Sequence, residues 1–443
     1  MRRDLMQKLI EWKTSSGRKP LILKGARQVG KTWLMREFGR TQYNKTAYVN
    51  FDGSDSLKQV FSDYTNVPKL LSAIKIETGV NVTAGNTLII FDEIQECPQA
   101  LTALKYFNEN ANEYHIIAAG SLLGVSHHAG TGFPVGKVNF LELYPLNFLE
   151  FLDACGENRL REAAENMDTN LTNVFSQKFT DLLRYYYYVG GMPEVVRNFA
   201  ADNDFSAVRR LQNEILAAYK ADFSKHTDAG TAERIAMLWE SIASQLAKEN
   251  KKFIYKAVKQ GARAKEYETA IAWLHDCGLV HTVYRISKPG LPLKAYEEPC
   301  AFKLYILDTG LLGALSGLSA KTIIQGNSIF TEFKGALTEQ YVLQQLKCIS
   351  DLQINYWTSK SGVAEIDFVV QLDNCAVPVE VKASTNLRAK SLTQYIKDYT
   401  PEYAVKTSLA NFETNEKLYN IPLYLIGLLD KFAEKHSAIE KTE

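Results

Sequence analysis

Leu21-Ile22-Leu23-Lys24-Gly25-Ala26-Arg27-Gln28-Val29-Gly30-Lys31-Thr32 decides the fold of the chain's first part. It opens with an apolar run of strand type and passes through a loop bounded by Gly25 and Gly30. It then enters an amphipathic helical period carried by Trp33, Leu34 and Phe38. A strand that runs through such a loop into a helix lets backbone amides approach phosphate oxygens, and the helix N-terminus adds positive potential. In that setting Lys31 reaches the β and γ oxygens and Thr32 offers its hydroxyl to magnesium. The expected ATP-binding set is Gly25, Ala26, Gln28, Val29, Gly30, Lys31 and Thr32.

Working outward, three more apolar runs read as buried strands: Ala47–Phe51, Leu88–Phe91 and Ile116–Ala119. Near-continuous apolar strands interleaved with helical periods predict a parallel sheet covered on both faces. Asp92 and Glu93 follow the Leu88–Phe91 run and so stand at the C-terminal end of a strand, where open α/β sheets bind ligands. Asp92 is therefore expected to hold Mg²⁺ and Glu93 to orient the attacking water. Ser121, at the end of the next strand, is placed either to sense the γ-phosphate or to cap a helix. A short strand from Val138 to Leu143 closes this part, and Lys137 before it offers a lone cation.

Residues 153–175 are rich in Asn and Glu and read as a surface excursion. Beyond them a tyrosine-rich helix stops at Gly190-Gly191 and restarts after Pro193. A helix from Ala262 to His275 precedes strand-like pieces at Leu279–Ile286 and Leu293–Tyr296, an order that suggests a winged helix whose Arg263, Lys265 and Glu266 are only mildly basic. The final part begins with a helical period, Thr331–Leu346, followed by strands at Asn355–Trp357, Ile366–Gln371 and Val377–Val381. In Pro378-Val379-Glu380-Val381-Lys382, alternation puts Glu380 and Lys382 on one face. Hairpin pairing sets Asp367 beside Glu380. Glu339 on the preceding helix and Gln394 on a following one are able to complete the cluster. Carboxylates of this kind hold Mg²⁺, and an ammonium nearby suits phosphodiester hydrolysis. The expected metal ligands are Thr32 and Asp92 at the first site and Glu339, Asp367 and Glu380 at the second, where Asp367, Glu380 and Lys382 carry the chemistry.

Composition narrows the classes. A chain of 443 residues exceeds what one core holds, so two or three domains are expected. Hydrophobic residues at 46% and charged residues at 23% are ordinary for a folded globular protein. A net charge of +1 leaves nucleic-acid binding to a local basic patch. The six cysteines are scattered without a CxxC pair, which argues against a zinc site. The start of the chain lacks an uncharged apolar segment, and no run is long enough to span a bilayer. A cytoplasmic protein with no membrane contact is expected.

The residues then resemble a known family, the bacterial and archaeal AAA-type P-loop ATPases that carry a C-terminal restriction-endonuclease-like domain. The resemblance spans nearly the whole chain and rests on GARQVGKT (25–32), FDEIQ (91–95), GSLLG (120–124), FPVGKV (133–138), YPLNFLEFL (144–152) and GGMPEVV (190–196), then KGALTEQYVLQQL, EIDFVV and PVEVKA. It implies an α/β protein with an AAA-type P-loop core over residues 1–152, a helical and winged-helix region over 153–315, and a restriction-endonuclease-like α/β domain over 316–443. In that last domain Asp367, Glu380 and Lys382 would carry the family's Asp, Glu-x-Lys signature. Where such proteins often have Gly-Arg, this chain has Gly136-Lys137, and lysine cannot fork onto two oxygens as arginine does. Arg184 and Arg197 are the alternative cations. Two functions fit: an ATPase coupled to a nuclease-like domain acting on DNA or RNA, and an ATP-dependent switch whose nuclease-like domain only binds protein or DNA. A protein partner or self-association would accelerate an ATPase lacking its own finger.

Overall fold

The computed structural model describes residues 1–120, 134–225, 227–248, 251–325, 331–372, 374–385, 389–415 and 417–440. Ser121 lies outside the described residues. The chain divides into two compact units, one made of Arg2–Tyr144 with Ala272–Leu279, the other of Pro145–Ile271 with Val280–Glu443.

In the first unit, strands β1 (Leu21–Lys24), β2 (Lys45–Asn50), β3 (Thr87–Asp92), β4 (His115–Ala119) and β5 (Asn139–Glu142) form one sheet in the order β2-β3-β4-β1-β5. Every pairing is parallel, as the apolar runs require. The strand β3 is buried along its whole length. One layer of the core is aromatic: Phe51, Phe61 and Phe91 meet edge to face with centroids 5.3–5.6 Å apart. This packing fixes the end of β3, where Asp92 and Glu93 emerge.

In the second unit, strands β6 (Val280–Ile286), β7 (Glu297–Ile306), β8 (Gln353–Thr358), β9 (Glu365–Leu372), β10 (Cys375–Val381), β11 (Ala404–Ser408), β12 (Glu413–Asn415) and β13 (Leu418–Pro422) form one sheet in the order β12-β13-β11-β10-β9-β8-β6-β7. This sheet takes strands from both sides of residue 315. The antiparallel pair β6 and β7 follows a helix at Ala264–Asp276, and β6 also pairs in parallel with β8.

Two sequence expectations need correcting. Leu293–Tyr296 is a 3₁₀ helix, not a strand: Pro292 immediately before it removes a donor, and Leu293 turns fully into the core. The polar stretch 153–175 is not an excursion but holds helices Asn158–Glu165 and Thr169–Val174. Its charges are satisfied internally, since the buried Arg161 pairs with Asp153 at 2.7 Å and Glu165 at 2.8 Å.

The Gly190-Gly191 stop has a packing cause. A side chain at Gly190 would meet Asp308 Oδ1 at 2.2 Å, and one at Gly191 would meet the Leu146 carbonyl at 2.2 Å. Asp308 accepts from the amides of Gly191 (2.6 Å) and Leu311 (3.0 Å), so the glycines allow a buried carboxylate to tie two helix starts together.

Candidate nucleotide site and acidic site

At the first site the loop geometry follows from its glycines. Gly25 has φ +141°, and a side chain there would come within 2.3 Å of the Leu143 carbonyl. Gly30, with φ 95°, ends the loop and begins the helix Lys31–Gln42. Gln28 also takes a positive φ, 65°. The loop is braced from outside the motif: Arg3 is buried and donates to the carbonyls of Val29 (2.9 Å) and Tyr144 (2.6 Å). Nothing in the motif points to this role, because Arg3 lies 26 residues before Val29 along the chain.

Lys31 is only 8% exposed, and its Nζ donates to the carbonyls of Gly25 and Ala26, both at 2.7 Å. Burial pulls its pKa down to about 8, although Glu93 and Asp92 act to raise it; Arg27 adds to the lowering. An ammonium whose hydrogen bonds go to carbonyls, and whose burial outweighs the pull of nearby carboxylates, suits an incoming polyanion. Thr32 Oγ1 donates to Asp92 Oδ2 at 2.7 Å, so the expected magnesium-side residues are adjacent. Tyr48 also donates to that oxygen, at 2.9 Å, and the guanidinium of Arg36 lies 3.8 Å from the Tyr48 ring centre. This tyrosine, hidden in an ordinary strand pattern, is a site neighbour that motif reading missed. The hydroxyl and carboxylate are hard oxygen donors and fit Mg²⁺, which keeps several of its waters.

Glu93 takes a left-handed conformation (φ 49°), a region sparsely populated by non-glycine residues that is often held at functional positions. Its carboxylate accepts from Gln95 Nε2 at 2.6 Å. The proposed cations fare differently. Lys137 pairs with Glu109 at 2.8 Å, Arg184 pairs with Asp181 at 2.8 Å on the surface, and Arg197 is exposed.

The second site forms where β9 and β10 run antiparallel. Their register pairs Val379 with Phe368, which brings Asp367 to the end of β10, and there the Val381 amide donates to Asp367 Oδ2 at 2.8 Å. Lys382 Nζ donates to Glu380 Oε1 at 2.7 Å, while Glu380 Oε2 is buried without a hydrogen-bond partner. Glu339, on the helix Thr331–Lys347, is hydrogen-bonded to Asp367. Gln394 does not join: it is exposed and donates to Asp398 on its own helix.

Residues that the sequence did not suggest complete this cluster. Lys303 of β7 is fully buried and donates to Glu365 at 2.6 Å, with Glu339 Oε2 at 3.8 Å and the Tyr356 ring centre at 4.9 Å. Lys251 pairs with Glu339 Oε1, and Tyr305 donates to Glu339 Oε2 at 3.3 Å. Burial, then Glu339 and Glu380, hold the Asp367 carboxyl well above its ordinary range. Burial likewise raises Glu380 against the pull of Lys382. For Glu339 burial acts upward, but Lys251 and Lys303 overcome it and the net shift is down.

Each carboxylate is thus turned to an amide, a carboxyl or an ammonium. Among the described residues no group of three or more His, Cys, Asp or Glu side chains is gathered so as to hold a metal ion. The donor set is still all oxygen, and the unpartnered Glu380 Oε2 is an open ligand of the kind Mg²⁺ takes.

Residues 17–152 match a family described as an AAA domain. Residues 180–322 match a domain of unknown function, DUF8612, and residues 334–426 match another, DUF4143. None of the curated proteins matches the chain. Among solved structures, the Walker-type ATPase paby2304 of Pyrococcus abyssi is 13% identical over 71% of this chain and 95% of that one, with a TM-score of 0.45. The AMPPCP-bound DnaA of Aquifex aeolicus is 12% identical over 61% of this chain and 85% of that one, with a TM-score of 0.27. The Aeropyrum pernix ORC1 protein, solved in complex with DNA, is 13% identical over 71% and 90%, with a TM-score of 0.26. No helix among the described residues is long and apolar enough to cross a membrane. The parallel sheet order, the phosphate loop that leads from β1 into its helix and the family match agree that residues 17–152 form a P-loop domain of AAA type.

Proposed function

We propose that the protein is a Mg²⁺-dependent ATPase whose second unit carries a nuclease-like acidic site that acts on nucleic acid. The observation that carries the ATPase reading is Lys31, a buried ammonium whose hydrogen bonds go to carbonyls and whose burial outweighs the pull of Glu93 and Asp92, so that the β and γ phosphates of ATP would supply the charge it lacks. The loop amides of Gly25, Ala26, Gln28, Val29 and Gly30 surround the phosphates, and Thr32 and Asp92 would hold the metal. Magnesium, once bound with the nucleotide, neutralises charge on the phosphate oxygens. Glu93, held at the end of β3, orients the water for in-line attack.

Glu93→Gln should keep ATP affinity while hydrolysis falls by roughly 10²–10⁴, the usual contribution of a positioned base. Binding measured by nucleotide titration and turnover by phosphate release separate the two effects. A wild-type rate in that variant would assign water activation to another residue.

At the acidic site Asp367, Glu380 and Glu339 supply oxygen ligands, and Lys382 places an ammonium beside Glu380, the chemistry required for phosphodiester cleavage. One observation favours the alternative, an ATP-dependent switch with a silent binding module for protein or DNA: the lysines already balance most of these carboxylates. Incubation with single- and double-stranded DNA and RNA in Mg²⁺, with and without ATP, decides between them. Cleavage that Lys382→Ala removes while ATP hydrolysis persists supports the nuclease-like reading, and no cleavage of any substrate supports the switch.

A further inference from the structure

We propose that Lys251 is a built-in cation of the acidic site, whose ammonium and a divalent metal ion compete for Glu339. The proposal rests on reading that cluster as a metal site. A buried carboxylate needs a positive partner, because removing the partner leaves an uncompensated charge. Glu339 is 8% exposed at its side chain, and Lys251 donates to its Oε1. The other lysines are held more firmly: Lys303 is sealed in β7 with Glu365 at 2.6 Å and stands 3.8 Å from Glu339 Oε2, and Lys382 belongs to Glu380 at 2.7 Å.

Lys251 differs from them in two respects. Its side chain keeps 14% exposure, whereas Lys303 has none, so its head group has a route to water. It also sits in an irregular stretch whose following backbone is tied down: Phe253 N donates to Phe302 O at 2.8 Å and Ile254 N to Gln245 Oε1 at 2.7 Å. The side chain is then the part able to withdraw, and a lysine is a point charge on a flexible stem that loses no fork geometry by leaving. A divalent ion that takes Glu339 together with the open Glu380 Oε2 restores the lost charge and releases the ammonium to solvent.

The test uses the full-length protein without nucleotide and Mn²⁺ alone as the probe. Reaction of lysine amines with an acetylating reagent, read by mass spectrometry, should show Lys251 protected in metal-free protein and labelled several-fold faster when Mn²⁺ saturates a site that Glu380→Gln abolishes. Lys251→Met should bind Mn²⁺ about tenfold more tightly, and Lys252→Met, which removes the same charge one residue away, should change affinity less than about twofold. Metal binding with Lys251 still protected overturns the competition and leaves the metal site standing. Equal tightening in both lysine variants also overturns it, since a general field would then be the cause. Absence of any Mn²⁺ site sensitive to Glu380→Gln removes the metal reading and this proposal with it. Labelling of the wild-type protein decides the matter even where a variant fails to fold.

Discussion

Lys31 and Lys303 are both buried lysines, and their surroundings push them in opposite directions. Lys31 donates to carbonyls, and burial draws its pKa down to about 8 against the pull of Glu93 and Asp92. Burial also acts to lower Lys303, but Tyr305, Glu339, Glu365 and Asp367 outweigh it and hold the ammonium well above the ordinary lysine range. The first lysine waits for a charge from outside the protein. The second already has its charges inside. Equal burial therefore says little about function until the partners are known: a cation bonded to carbonyls, whose nearby carboxylates do not offset its burial, points to an anionic ligand, and a cation paired with carboxylates points to the cohesion of the site itself.

The largest expected effect tests the second half of this contrast. Lys303→Met leaves Glu365 and Glu339 in a buried setting with one cation fewer, and breaking a buried pair costs about 3–5 kcal/mol. Chemical denaturation should show a loss of that size in the second unit. Wild-type stability would mean that Lys251 alone balances the cluster and that Lys303 is dispensable. Lys31→Met tests the first half and should behave in the opposite manner. Its folded stability should be unchanged or higher, because an unbalanced buried charge has gone, while ATP affinity falls roughly 10–100-fold from loss of charged hydrogen bonds of about 1.5–3 kcal/mol. A variant that loses stability as well as ATP would make Lys31 a structural residue and erase the comparison.

The two lysines were also unequally legible in the sequence. Lys31 is announced by its neighbours, because the phosphate loop is a local device and the glycines, strand and helix that shape it all lie within a short stretch. The pairing of Asp367 with Glu380 was readable for a similar reason, since β9 and β10 are consecutive and a tight hairpin fixes register. Lys303 gives no such notice. In Phe302-Lys303-Leu304 it reads as the solvent-facing residue of a strand, and its partner Glu365 lies 62 residues away. Lys251 stands in a polar run, Lys248-Glu249-Asn250-Lys251-Lys252, that looks fully solvated. The helices in 153–175 were missed because their charges pair with each other around Arg161 rather than with water. The proline that turns Leu293–Tyr296 into a 3₁₀ helix was visible, but the apolar spacing suggested a strand.

The smallest expected effect is a fraction of a proton, and it probes the contrast most directly. In the nucleotide-free protein Lys31 titrates at about 8, so at pH 8 to 9 a substantial share of molecules carries it neutral. The phosphates of ATP favour the ammonium and return its pKa upward, so binding in that range must take up protons. Affinity should then weaken as pH rises through 8, and titration calorimetry in two buffers of different ionisation enthalpy should report uptake of up to about one proton near pH 9 and close to none at pH 7. The same shift sets the sign of a stability effect without nucleotide: above pH 8 the unfolded chain holds this proton more strongly than the folded one, so the contribution of Lys31 to stability rises with pH between 8 and its unfolded value. Lys31→Met should abolish the uptake. Uptake that persists in the variant would belong to another group at the site and would show that Lys31 is charged before ATP arrives, in which case its carbonyl partners satisfy it as fully as carboxylates satisfy Lys303.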